Sequence, residues 1–144
     1  MEKAKVLFIC VHNSARSQMA EEYLRKLGSQ WFDTESAGLH PGEINPLVAE
    51  VLKEDGIDIY DKKTQSVKEV YERGEKFSHI ITVCDRTIEN DCPIYPQPAE
   101  KMYWSFPDPE KIEGDDEEKK LKITEIRDVI KMEIKQFIDS YTNP

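Results

Sequence analysis

The feature that most constrains this chain is a short apolar run that leads, through a polar loop, directly into an amphipathic helix. Residues 5–9 (KVLFI) are rich in β-branched and aromatic side chains and predict a buried strand. Apolar residues then recur at three- and four-residue steps, which predicts a helix ending at Gly28: Met19, Ala20, Tyr23, Leu24 and Leu27. A strand that turns directly into a helix directs backbone N–H groups and the positive end of the helix dipole at one point. The stretch therefore predicts a loop that binds an oxyanion.

The side chains of this loop suit nucleophilic chemistry on a tetrahedral anion. Cys10 begins the loop, where N–H groups and the Arg16 guanidinium favour thiolate over thiol. Arg16 is also a planar fork that can grip two oxygens of the anion. A buried strand-end cysteine with a surface arginine nearby is the alternative interpretation. We predict that Cys10 and Arg16 are catalytic and that the loop binds substrate through Val11, His12, Asn13, Ser14, Ala15, Arg16 and Ser17.

The rest of the chain alternates predicted strands with predicted helices. Strands are expected at 31–37, 79–84 and 102–106, and residues 57–59 form at most a short extended piece. Helices are expected from Asn45-Pro46 to Gly56, from about 64–66 to 73–74, and after a charged loop at 107–120 whose acids, 115–118, lead into the last helix. An apolar stripe marks that helix: Ile123, Ile126, Ile130, Ile134, Phe137, Ile138 and Tyr141. The alternation predicts an α/β fold, a parallel sheet with helices on both faces.

Three chemically active residues follow predicted strands and should meet at one edge of this sheet. Cys10 and Cys84 each end a strand, and ligands of parallel sheets bind at the carboxyl ends of the strands. Asp108-Pro109 follows the last strand, so this carboxyl group can lie on the same edge and move protons. An ordinary Asp-Pro turn is the alternative interpretation of the dipeptide.

Length and charge exclude several classes of protein. A chain of 144 residues fits one domain, 1–144. Lys and Arg total 20 against 29 Asp and Glu, and the net charge of −9 argues against nucleic acid or an anionic membrane as partner. No apolar run approaches the ~20 residues of a membrane span, so a cytoplasmic protein is expected. Three cysteines in a reducing compartment indicate thiol chemistry rather than structural disulfides.

The loop also carries a family resemblance. Cys10-x5-Arg16-Ser17 near the N-terminus resembles the phosphate-binding loop of the low-molecular-weight protein tyrosine phosphatase fold. The resemblance implies a three-layer α/β fold with a four-stranded parallel sheet, and Asp108 as the general acid. That fold has two branches, phosphatases and thioredoxin-regenerated arsenate reductases. Phosphatases usually follow the Asp-Pro pair with aromatic residues, whereas Glu110 and Lys111 follow it here.

A second resemblance separates the two branches. The segment from Cys84 to Cys92-Pro93 resembles the resolving-cysteine segment of the thioredoxin-coupled arsenate reductases. It implies a relay in which Cys10 attacks arsenate, Cys84 attacks Cys10 and releases arsenite, and Cys92 attacks Cys84. Thioredoxin then reduces the Cys84–Cys92 disulfide. Because a disulfide needs Cα atoms within ~7 Å, and neither a helix nor a strand brings residues 84 and 92 so close, oxidation should refold this segment.

Some members of the family hold potassium beside the loop, and three residues here fit that pattern: Asn13, Glu21 and Ser36. Ser66 stands where an acid is common, so no firm metal site is predicted. Two other functions remain open, a low-molecular-weight phosphatase using Cys10, Arg16 and Asp108, and a phosphoprotein-binding module on the same loop. A monomer is expected.

Overall fold

The computed structural model describes residues 2–84 and 95–143. Four strands form one sheet: β1 (Ala4–Cys10), β2 (Phe32–Gly38), β3 (His79–Val83) and β4 (Glu100–Trp104). Their order is β2-β1-β3-β4, and every neighbouring pair is parallel. The helices are α1 (Arg16–Gly28), α2 (Pro46–Lys53), α3 (Val67–Glu72) and α4 (Asp116–Thr142), with a 3₁₀ turn at Pro109–Lys111. The predicted α/β fold with a four-stranded parallel sheet is confirmed.

Alternation along the strands separates two apolar layers. On β1, Val6 and Phe8 face the larger core, which α1, α2 and α4 cover, whereas Leu7 and Ile9 face the smaller one beside α3. All four of these side chains are fully buried. β1 therefore lies at the centre of the molecule and holds its carboxyl end, Cys10, rigidly in place.

Side-chain caps set the beginnings of three helices. The Asn45 side chain accepts hydrogen bonds from two backbone N–H groups at the start of α2, where Pro46 is the first residue. Ser66 caps α3 in the same way, and Asp115 caps α4. The expected helix starts at Asn45-Pro46 and at about 64–66 are therefore confirmed.

Several boundaries differ from the sequence-based expectation, among them the end of α2, which lies at Lys53 rather than at Gly56. β4 ends at Trp104 rather than at Phe106, because Phe106 leaves the sheet and offers its carbonyl to Arg16. α4 begins inside the expected 107–120 loop, because the Asp115 cap starts it at Asp116. Residues 57–59 form no strand, which agrees with the expectation of at most a short extended piece, and Ile57 and Ile59 are buried as core side chains.

No helix in the described ranges, 2–84 and 95–143, is long and apolar enough to cross a membrane.

Candidate active site

The loop between β1 and α1 turns its carbonyl groups away from its concave side. All six carbonyls of residues 10–15 accept hydrogen bonds, and their donors are Leu39 N (3.0 Å), His40 N (2.7 Å), Gly42 N (2.9 Å), Gln18 Nε2 (3.0 Å), Asn45 N (3.0 Å) and Met19 N (2.9 Å). In a trans peptide the N–H points opposite to the C=O. The loop N–H groups therefore face inward, towards the start of α1, where Ala15 has no side chain that can cap the helix. This arrangement is a cradle for an oxyanion.

The Cys10 sulfur lies at the base of this cradle and accepts hydrogen bonds from it. The Asn13 backbone N–H donates to Cys10 Sγ at 3.1 Å, and Ser17 Oγ lies 2.9 Å from the sulfur. The Asn13 amide Nδ2 donates to Ser17 Oγ at 2.8 Å. Since an amide nitrogen only donates, the Ser17 hydroxyl is free to donate its own hydrogen to the sulfur. Both contacts fix the position of the Cys10 sulfur at the base of the cradle.

Asn13 is the residue that locks the loop. Its φ of 55° lies in the left-handed region, which asparagine tolerates better than most residues. Its Oδ1 accepts from Gln18 Nε2 and Gln65 N, both at 3.1 Å, and its Nδ2 donates to Ser36 Oγ at 2.9 Å. The side chain of Asn13 therefore fixes the loop from within. The roles of Gln18 and Gln65 were missed, because Gln18 stands among other polar residues of α1 and no spacing connects Gln65 with the loop.

Gly38 ends β2 directly against the loop. A Cβ atom built at Gly38 would lie 2.8 Å from Asn13 N and 2.8 Å from the carbonyl carbon of His12. Both neighbours are backbone atoms, so neither can move aside by a change of side-chain rotamer. Only glycine fits here, which the sequence did not reveal.

Arg16 and Asp108 come together at the edge of the cradle, as the sequence predicted. Both are buried, and Arg16 Nη2 lies 3.6 Å from Asp108 Oδ2. Arg16 Nη1 also donates to the Phe106 carbonyl at 3.2 Å, which orients the guanidinium. Asp108 Oδ1 accepts from Glu110 N at 2.9 Å and caps the 3₁₀ turn. One carboxylate oxygen is thus structural, and the other faces the arginine.

Glu110 places a carboxylate beside the cradle. Ser14 Oγ donates to Glu110 Oε1 at 3.1 Å, although the two residues are 96 positions apart. The glutamate is exposed, so its charge faces the approach to the cradle. In the sequence, Glu110 stands at a position where the phosphatases usually carry an aromatic residue. Its contact with the loop could not be predicted from the sequence.

The other predicted loop residues divide into two groups. The side chains of Val11 and Ala15 are buried in the larger core, so these residues offer only their backbone to an anion. His12 is exposed, and its Nδ1 lies 3.1 Å from the His40 carbonyl.

Cys84 follows β3 immediately and belongs to the same buried cluster as Cys10. β3 pairs with β1, and Ile9 is the partner of Thr82, so Cys10 and Cys84 lie at the same sheet edge. Cys10 is 2% exposed and Cys84 1%. The reorganisation on oxidation was predicted for residues 84–93, and Cys92 and all of that segment except Cys84 lie outside the described residues.

The three residues of the expected potassium pattern also lie together, but they do not fit that ion. An alkali cation needs oxygen lone pairs directed at it. Asn13 turns its nitrogen, not its oxygen, towards Ser36, and the Ser36 hydroxyl donates to Glu21. The carboxylate of Glu21 already contacts an ammonium group, with Lys62 Nζ 2.8 Å from its Oε1. Ser66 stands at the position where an acid is common in the potassium pattern. Its hydroxyl oxygen instead accepts a hydrogen bond from Glu69 N at 3.0 Å and caps α3.

Comparisons with known proteins agree with this architecture. The sequence profile of a family described as low molecular weight phosphotyrosine protein phosphatase matches residues 5–143. An arsenate reductase of Halalkalibacterium halodurans is 38% identical over 141 residues, which span 97% of this chain and 99% of the relative. An arsenate reductase of Bacillus subtilis is 31% identical over 142 residues, again 97% and 99% of the two chains.

Solved structures show the same relationship. A thioredoxin-dependent arsenate reductase of Corynebacterium glutamicum has a TM-score of 0.69 and 33% identity, and the match covers 96% of this chain and 61% of that one. A low molecular weight protein tyrosine phosphatase of T. tengcongensis, at 22% identity, shares the fold with a TM-score of 0.73 over 96% and 99% of the two chains. The chain is therefore an enzyme of the low molecular weight phosphotyrosine protein phosphatase family and belongs among the arsenate reductases of that family.

Proposed function

We propose that this protein reduces arsenate to arsenite through three thiols in series, Cys10, Cys84 and Cys92, and that thioredoxin restores the reduced enzyme. The observation that carries the proposal is the placement of Cys10 and Cys84 in one buried cluster at the carboxyl edge of neighbouring strands. Hydrolysis does not require a second thiol beside the nucleophile, whereas a thiol relay does. The names of the relatives, arsenate reductase and thioredoxin-dependent arsenate reductase, support the same conclusion.

The first half of the reaction takes place in the cradle. Arsenate, a tetrahedral oxyanion, accepts hydrogen bonds from the loop N–H groups and from the Arg16 guanidinium. The Cys10 thiolate attacks arsenic(V) and forms a sulfur–arsenic bond. One arsenate oxygen departs as water, with a proton from Asp108. In the formal count, arsenic is still at +5 and sulfur is still at the thiol level at the end of this step. No electrons have yet been transferred.

The second half transfers two electrons. The Cys84 thiolate attacks Cys10 Sγ and forms a disulfide, and the electron pair of the broken sulfur–arsenic bond remains on arsenic, which leaves as arsenite. Cys92 then attacks the sulfur of Cys84, frees the Cys10 thiolate and leaves a Cys84–Cys92 disulfide. The dithiol of thioredoxin reduces that bond and becomes a disulfide itself. Burial supports a relay of this kind, because a protein reductant cannot reach the Cys10 or Cys84 sulfur directly.

Hydrolysis of phosphate monoesters is the second candidate activity, since phosphate has the shape and charge of arsenate. It would use Cys10, Arg16 and Asp108 alone. The contact of Glu110 with Ser14 places a carboxylate where the aryl group of a substrate would pack. Its negative charge argues against large, anionic phosphoesters as physiological substrates.

The decisive experiment compares Cys84→Ser and Cys92→Ser with the wild type in two assays. We expect each variant to lose multiple-turnover arsenate reduction with thioredoxin, yet to hydrolyse a small aryl phosphate at close to the wild-type rate. Cys10→Ser is the matched control and should lose both activities, because its hydroxyl is a poor nucleophile at neutral pH. If both resolving-cysteine variants reduce arsenate at the wild-type rate, the relay is refuted and the phosphatase alternative replaces it.

A further inference from the structure

A partly buried lysine lies where the expected monovalent cation does not fit. Lys62 precedes α3 in the chain, and its ammonium group lies 2.8 Å from Glu21 Oε1 and 2.9 Å from Glu22 Oε1, both on α1. The lysine side chain is 23% exposed, while Glu21 is 5% exposed. Arg25 also pairs with both glutamates from the solvent side, where it is 48% exposed. The buried face of Glu21 is therefore neutralised from within the fold by Lys62.

Hydrogen bonds lead without interruption from this ammonium group to the nucleophile. Lys62 contacts Glu21, and Glu21 accepts the hydroxyl hydrogen of Ser36. Ser36 Oγ accepts from Asn13 Nδ2 at 2.9 Å, and the backbone N–H of Asn13 donates to Cys10 Sγ at 3.1 Å. The three middle members are buried, so water cannot replace them. Each link fixes the orientation of the next.

We infer that Lys62 is a built-in monovalent cation, a positioning residue that holds Glu21 and Ser36 in place and thereby sets the orientation of Asn13 against the Cys10 sulfur. Without the ammonium group, the Glu21 carboxylate keeps the Ser36 hydroxyl and, among the cations of the described residues, only Arg25 on the solvent side. Glu21 then turns towards water, Ser36 loses its acceptor, and the Asn13 side chain loses one of the contacts that keep its backbone in the left-handed conformation. The protein consequently needs no potassium, and removal of Lys62 creates a need for it.

The inference rests on the proposed function only in taking Cys10 as the reactive thiol. The test therefore measures alkylation of Cys10 by iodoacetamide, followed by mass spectrometry of the Cys10 peptide, together with the melting temperature. Arsenate reduction enters neither measurement. Each is made in potassium chloride and in choline chloride at equal ionic strength, because choline is too large to replace an ammonium group inside the fold.

For the wild type we expect the same alkylation rate and melting temperature in both salts. In choline chloride, Lys62→Met should alkylate about tenfold more slowly, because a small displacement of the loop misplaces the donor to the sulfur. It should also melt about 5 °C lower, because one partner of a largely buried ion pair is missing. Potassium chloride should restore most of both losses, because removal of the ammonium group frees the Glu21 Oε1 lone pairs for a cation. Lys63→Met, at the exposed neighbouring position, is the control and should behave as the wild type.

The double variant Lys62→Met/Glu21→Gln separates cation replacement from a general salt effect. With no buried carboxylate left to neutralise, it should not distinguish potassium from choline. If Lys62→Met does not fold, Lys62→Gln replaces it, and the same potassium-dependent recovery is expected. The assignment is overturned if the wild type itself responds to potassium, if Lys62→Met matches the wild type in choline chloride, or if potassium restores nothing.

Discussion

Replacing Gly38 by alanine tests whether the position of the loop backbone controls the chemistry. The added methyl carbon would lie 2.8 Å from Asn13 N, about 0.6 Å inside the 3.4 Å at which ordinary contact begins. Asn13 N is also the atom that donates to Cys10 Sγ. Because β2 is paired along its whole length with β1, the strand cannot yield easily, and the loop must move instead.

The expected effect on activity is large and the effect on stability moderate. A misplacement of about 1 Å can cost about 100-fold in rate, so a shift of about 0.6 Å should lower kcat/KM by roughly 10- to 100-fold. Overpacking of this kind costs about 1–3 kcal/mol of unfolding free energy. The assays are hydrolysis of a small aryl phosphate, iodoacetamide labelling of Cys10, and urea unfolding.

Gly42 provides a matched control in the same connecting segment. A Cβ atom at Gly42 meets no heavy atom within 4 Å, and its N–H is retained by alanine. We expect Gly42→Ala to keep the wild-type rate of labelling and hydrolysis. Full activity in Gly38→Ala, or an equal loss in both variants, would contradict the argument that this close approach positions the loop.

Three further predictions concern single side chains. Ser17→Ala should slow alkylation of Cys10 about tenfold, because a hydrogen bond to a charged sulfur contributes about 1.5 kcal/mol, and an unchanged rate would exclude the hydroxyl as a donor. Glu110→Gln should lower the inhibition constant of phosphate about threefold at low ionic strength, since a unit charge about 6 Å away in water contributes about 0.7 kcal/mol; a change that persists undiminished at high salt would contradict an electrostatic cause. The Tyr23 hydroxyl donates to Asp55 Oδ2 at 2.5 Å, which lowers the pKa of the Asp55 carboxyl. The stabilisation that this hydrogen bond contributes to the folded protein is therefore complete above the ordinary pKa of about 3.9 and is lost as the pH falls through the lowered pKa. Asp55→Asn should therefore unfold more easily at pH 7 and lose less stability on acidification. An equal loss of unfolding free energy in variant and wild type as the pH is lowered would rule this out.

Local patterns were sufficient to predict the centre of the molecule. The apolar run at 5–9 and the periodic helix that follows gave β1 and α1 nearly to the residue, because both elements are buried and their periodicities are strong. The shared sheet edge of Cys10 and Cys84 followed from parallel topology alone and is confirmed. The catalytic roles of Cys10, Arg16 and Asp108 remain predictions, and Cys10→Ser tests the first of them.

Contacts between distant segments could not be predicted from spacing. Lys62 and Glu21 are 41 positions apart, and no periodic pattern connects a lysine before α3 with a glutamate on α1. The approach of Gly38 to the loop is equally hidden, because it depends on how far β2 extends beside β1. One signal was available: an acid on the buried side of α1 requires a partner somewhere in the fold.

The outward carbonyls of the 10–15 loop have a consequence for folding. Four of their six donors belong to residues 39–45, so an excised β1–α1 peptide would keep the sequence signature and lose the shape. The anion site is not an autonomous unit but exists only when the whole domain is assembled. Phosphate should therefore bind the native state alone, raise the urea midpoint by mass action, and report folding as faithfully as circular dichroism does.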